Sequence, residues 1–110
     1  MKVSGMESDS RAEFIKVEWH SSENIIEYNA VGYEGVAVQV SGEFGGTSVI
    51  LMGSLGGSED LPVVDKFNED VEFVAEGVRW LDGYMPLIRP YMAEPTEATD
   101  LTVTVILRKV

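Results

Sequence analysis

The chain has 110 residues, the size of one ordinary domain, and its 45% apolar and 25% charged residues exclude a wholly disordered chain. Its 19 acidic and 8 basic residues give a formal charge of −11, a field that repels phosphate backbones and anionic lipid and so weighs against nucleic-acid and membrane-surface roles. The absence of cysteine excludes disulfides, thiolate metal sites and a cysteine nucleophile.

Residues 1–10 contain no apolar stretch of the kind a signal peptide needs and read as a flexible polar arm, which leaves residues 11–110 as the single domain. No apolar run approaches the roughly 20 residues of a transmembrane helix. Residues 11–20 alternate, with Ile15, Val17 and Trp19 on one face and Lys16 and Glu18 on the other. Ser10 and Glu13 have capping-box spacing, which suits a short helix, but the β-branched pair and the tryptophan favour a strand. A polar connection over 21–29 holds Ile25, Ile26 and Tyr28. Val36, Val38 and Val40 then alternate with Ala37 and Gln39, and the glycine-rich run Ser41-Gly42-Glu43-Phe44-Gly45-Gly46 predicts a hairpin turn. Residues 47–55 return as a strand that is apolar on both faces, Val49 and Leu51 against Ile50 and Met52, and so belongs in the centre of the core.

Residues 56–60 form a turn, 61–65 a short strand, 68–70 a turn and 71–75 another strand. A glycine-bracketed segment, 77–83, leads into an extended stretch over 84–92. Pro86 and Pro90 bias their preceding residues to extended geometry, and their missing donors predict a sheet edge. After a polar loop over 93–99, Leu101, Val103, Val105 and Leu107 alternate with Thr102, Thr104, Ile106 and Arg108. Nothing sustains a helical period over three turns. About eight short strands joined by turns rich in the 11 glycines predict an all-β protein, an antiparallel β-sandwich of jelly-roll-like form.

Residues able to carry chemistry are sparse. His20 is the single histidine and reads as a surface or capping residue; with no cysteine and no second histidine, zinc and copper lack soft ligands. There is no Gly-x-Ser-x-Gly elbow to point to a nucleophilic serine. The acidic groups Glu59/Asp60, Glu69/Asp70/Glu72 and Glu94/Glu97/Asp100 fall in turns, where carboxylates are solvated turn formers rather than a glycosidase pair; a calcium site built from such loop carboxylates stays open, although the EF-hand pattern is absent. The Gly42-x-x-Gly45-Gly46-Thr47-Ser48 run lacks the lysine of a phosphate loop and leads into a strand. No catalytic, cofactor-binding or metal-binding residue is therefore expected. The aromatic set of Trp19, Trp80, Tyr28, Tyr33, Tyr84 and Tyr91 supplies stacking surface for sugars or hot spots for a protein partner. Trp19 is expected in the core, while Trp80 suits core and surface equally.

Three segments in order form a pattern: Thr47-Ser48-Val49-Ile50-Leu51-Met52-Gly53-Ser54-Leu55-Gly56-Gly57, then Leu87-Ile88-Arg89-Pro90, then Ala98-Thr99-Asp100-Leu101-Thr102-Val103-Thr104-Val105. The pattern resembles small virion proteins of tailed bacteriophages, and more specifically the capsid decoration (cement or staple) proteins of short-tailed phages. The resemblance implies a non-enzymatic protein, made in the host cytoplasm, that binds the major capsid protein on the outside of the assembled shell and bridges coat subunits. On that reading Trp80, Arg79, Arg89, Tyr91 and Tyr84 are the expected contacts, and the 84–92 edge is available to pair two copies as a homodimer. The same order also resembles jelly-roll carbohydrate-binding modules, which implies the alternative of a glycan-binding module for host-surface attachment. There, Asp60-Leu61-Pro62 stands where such modules carry an aromatic.

Overall fold

The computed structural model describes residues 1–8, 12–56 and 59–110. Ten strands follow in chain order: β1 (Lys2–Ser8), β2 (Ala12–His20), β3 (Tyr28–Asn29), β4 (Tyr33–Glu43), β5 (Ser48–Ser54), β6 (Leu61–Pro62), β7 (Glu72–Phe73), β8 (Gly77–Trp80), β9 (Leu87–Ala93) and β10 (Asp100–Lys109). One sheet has the order β1-β2-β10-β4-β8; the other has β3-β9-β5-β6, with β7 also paired to β5. All these pairings are antiparallel, and the two sheets pack as a sandwich with no helix among the described residues.

Period-two alternation builds the core. Ile15, Val17 and Trp19 of β2, Val38 and Val40 of β4, and Leu101, Val103, Val105 and Leu107 of β10 point inward from the first sheet; Val49, Leu51, Phe73 and Ile88 meet them from the second. The four inward residues of β10 have no exposed surface. Burying each such side chain contributes on the order of 1.5–3 kcal/mol, which is why the strand with the cleanest alternation sits in the middle of its sheet. Trp19 fills the largest share of the core, and its Nε1–H donates to the Ile26 carbonyl at 2.7 Å, so its polar edge is satisfied.

Several expectations are corrected. Lys2–Ser8, expected within a flexible arm, form β1 and pair with β2 along their whole length. The helix alternative for residues 11–20 gives way to β2; Ser10, which would have capped it, lies outside the described residues. Ser41, Gly42 and Glu43 belong to β4 rather than to a turn. Nor do β4 and β5 form a hairpin. Both edges of β4 are occupied, by β10 and β8, so the chain leaves the sheet and β5 starts in the opposite one. The arch between them turns at Gly45 and Gly46 (φ 61° and 90°) and is held to the 96–99 loop, where Thr96 and Thr99 hydroxyls donate to the Gly45 and Phe44 carbonyls, each at 2.9 Å.

The expected edge over 84–92 is also redrawn. β9 lies inside its sheet, paired with β5 from end to end. Its second neighbour, β3, reaches only Leu87 and Ile88. Pro90 thus sits past the end of β3, where a missing N–H leaves no ladder bond unmade.

Candidate functional site

The stretch from Leu55 to Tyr84 carries the chain from the end of β5 through β6, β7 and β8 to the approach of β9. It supplies β8, the edge of one sheet, and β6 and β7, which flank β5 in the other. Thirteen large apolar side chains are exposed among the described residues, and eight of them lie in these 30 positions. Leu55 is 89% exposed, Phe67 72%, Tyr84 67% and Trp80 56%. The same stretch holds eight acidic and two basic residues, a formal −6 of the chain's −11. Exposed apolar and acidic residues are therefore concentrated in this one stretch of chain, and exposed apolar surface rimmed by polar groups marks contact sites.

A buried carboxylate shapes part of this stretch. Asp65 is 6% exposed. Its Oδ1 accepts the main-chain N–H groups of Phe67 (2.8 Å) and Glu69 (3.0 Å), and its Oδ2 accepts Nη1–H of Arg79 at 2.9 Å. Asn68, at φ 63°, closes the loop by donating its N–H to the Asp65 carbonyl. The Lys66 N–H donates to the Trp80 carbonyl at 2.9 Å, which docks the loop on β8. Phe67 is thus held at the tip of a small, internally bonded loop. The Glu69 N–H does most to hold the Asp65 carboxyl below the usual carboxylate range; burial opposes this, and the Phe67 N–H and the Arg79 guanidinium add to the lowering.

A group with a lowered folded-state pKa stabilises the fold above its unfolded pKa, and that stabilisation is lost as pH falls through the folded value. Asp65→Asn is accordingly expected to melt several degrees below wild type at pH 7. Thermal scans should show this deficit shrinking once pH falls below about 4, the ordinary aspartate value.

The five expected contact residues do not form one cluster. Trp80 projects from the outer face of β8, in register with Ala37 and, beyond it, Ile106. Arg79 pairs with Val38, whose side chain is inward, so its guanidinium turns into the sandwich edge. There it meets Asp65, donates to the Glu72 carbonyl at 3.3 Å and lies 5.8 Å from the centroid of the Phe73 ring. Arg79 thus supports the loop that carries Phe67. Arg89 and Tyr91 stand on the outer face of β9 and line a shallow depression of about 560 Å³ with Met52, Glu59, Asp60 and Leu61. Arg89 Nε donates to Asp60 Oδ2 at 2.7 Å. Tyr84 lines a neighbouring groove of about 520 Å³, which shares Glu59 and Leu61 with the depression. The structure therefore gathers Tyr84, Arg89 and Tyr91 around the 59–61 segment and leaves Trp80 and Arg79 on β8.

Leu55, Leu61 and Phe67 were missed in the sequence. For Phe67 the available signal was a phenyl ring inside the acidic turn Asp65-Lys66-Phe67-Asn68-Glu69-Asp70; Leu55, in a glycine-rich turn, and Leu61, opening an expected strand, carried none.

One arrangement elsewhere has the elements of a catalytic triad. His20 Nδ1 is 2.6 Å from Ser22 Oγ, and His20 Nε2 is 2.8 Å from Asp100 Oδ1. The Asp100 side chain is 73% exposed, and neither depression reaches these residues. With Ser21 N–H donating to the Leu101 carbonyl at 2.9 Å, the group clasps the end of β2 to the start of β10. Among the described residues no three His, Asp or Glu side chains gather as metal ligands.

The fold and these grooves define a class, an acidic antiparallel β-sandwich with exposed apolar residues concentrated between Leu55 and Tyr84. Within that class no family model, curated protein or solved structure matches the chain.

Proposed function

We propose that this domain is a binding protein rather than an enzyme, and that it attaches to the outside of an assembled bacteriophage capsid and holds coat subunits together. The observation that carries the binding reading is the concentration of exposed apolar side chains and negative charge between Leu55 and Tyr84, beside a closed core. The capsid as partner rests on the resemblance of the three segments to decoration proteins. A protein that binds only the assembled lattice stabilises it by mass action, and repeated copies on one shell add up.

The test is co-sedimentation with capsids stripped of this protein, followed by a heat challenge. Saturable pelleting with a raised shell melting temperature is expected. Phe67→Ala combined with Trp80→Ala should weaken pelleting at least tenfold, since hot-spot aromatics contribute about 2 kcal/mol or more each. Both side chains are exposed, so the variant should fold as wild type does. A wild-type protein that stays in the supernatant at every capsid concentration overturns the reading.

A second reading draws on Tyr91, 47% exposed beside the Arg89–Asp60 ion pair on the outer face of β9. An aromatic face flanked by fixed polar groups suits a sugar ring. A glycan array read against Tyr91→Ala separates this reading from the first.

A further inference from the structure

The groove beside Tyr84 combines three features that together select a ligand chemistry. It is built from the end of β5, the 59–64 stretch and residues 82–86, and its volume of about 520 Å³ falls in the range that takes several side chains. Its apolar lining includes Leu55, Leu61 and Met85; the first two are exposed and Met85 is buried. Its charged lining groups, Glu59 and Asp82, are both carboxylates, and neither pairs with a basic side chain among the described residues. The adjacent Asp60 differs, because Arg89 already neutralises it.

We propose that this groove receives a short apolar segment of the capsid coat subunit carrying a lysine or arginine, whose cation lies against Glu59 and Asp82. The identity of the coat as the source rests on the capsid reading above; the chemistry of the segment rests on the groove itself. An acidic segment or a nucleic acid would meet two uncompensated carboxylates, and like charges brought together on binding select against such partners. Recognition runs through side chains rather than an added strand. The edge strand β6 is two residues long, and one of them, Pro62, has no N–H to donate.

Two arms test this separately, each with wild type, the double variant Glu59→Lys/Asp82→Lys, and the control Glu27→Lys/Glu97→Lys. All four positions are exposed, and the control reverses the same number of charges away from the groove. In the first arm a random-sequence peptide library is selected on the immobilised full-length proteins. Wild type and control should enrich peptides that combine large apolar residues with Lys or Arg, and the groove variant should lose this enrichment at least tenfold. Selection of peptides without basic residues, or equal enrichment by the groove variant, overturns the proposed chemistry. In the second arm the same three proteins are sedimented with stripped capsids. Pelleting of wild type and control but not of the groove variant supports the coat as the source. Equal pelleting of all three overturns the groove as the docking site while leaving the capsid reading standing. No pelleting of any of them overturns the capsid reading, and with it the coat as source.

Discussion

Trp19→Ala is expected to cost about 3–5 kcal/mol of folding stability, the range for deleting a buried tryptophan. That is a large part of the roughly 5–15 kcal/mol a domain of this kind has in total. The side chain is 1% exposed, lies between the two sheets and leaves a cavity the surrounding strands cannot fill. The substitution also removes the Nε1–H that satisfies the Ile26 carbonyl, which belongs to the 21–27 connection crossing from β2 to β3. Trp19→Phe restores most of the volume but not the donor and should cost less, about 1–3 kcal/mol for the unpaired carbonyl together with partial underpacking. Urea unfolding followed by far-UV circular dichroism would order the three proteins. An alanine variant as stable as wild type would mean that Trp19 does not organise the core.

Gly42→Ala is expected to cost about 2–4 kcal/mol, because it combines left-handed backbone strain with a steric clash in an already packed place. Gly42 has φ 111°, and a Cβ built there would fall inside contact distance of the Asp100 carbonyl oxygen on β10. The obstacle is main chain, so no side-chain rotation relieves it. Gly46 provides the comparison. It has φ 90° in the arch that follows β4, but a Cβ there meets nothing within 4 Å. Gly46→Ala should therefore cost only about 1 kcal/mol, the conformational part alone. Equal losses at the two positions in the same urea experiment would mean that the approach of β4 to β10 at Gly42 is not tight.

The difference between these two glycines shows what a linear reading reaches. Both stand in one glycine-rich run, and the run was legible as a place where the chain turns. Which glycine is squeezed by a distant strand depends on Asp100, more than 50 positions away. The same division holds for Arg79 and Trp80. The glycines that bracket 77–83 were visible, but that Gly77–Trp80 pairs as β8, and that Arg79 points inward, was decided by its pairing with β4 and by Asp65 arriving from another loop.

The residues of this protein by themselves determined the long alternating strands β2, β4, β5 and β10, the all-β class and most of the core. Inward and outward positions repeat every two residues, and that repeat is local: Ile15, Val17 and Trp19, or Leu101 through Leu107, declare their faces without knowledge of their neighbours. The strong negative charge was equally plain. Tertiary structure alone decided the partners of each strand. It placed Lys2–Ser8 as an edge strand, sent β4 and β5 into opposite sheets and put β9 inside its sheet beside a two-residue β3. It also brought exposed apolar residues from separate segments, Leu55, Leu61 and Tyr84, around one groove with Glu59 and Asp82. Strand pairing depends on which edges other strands have left open, and a surface patch depends on which turns end up adjacent. Both are properties of the assembled chain.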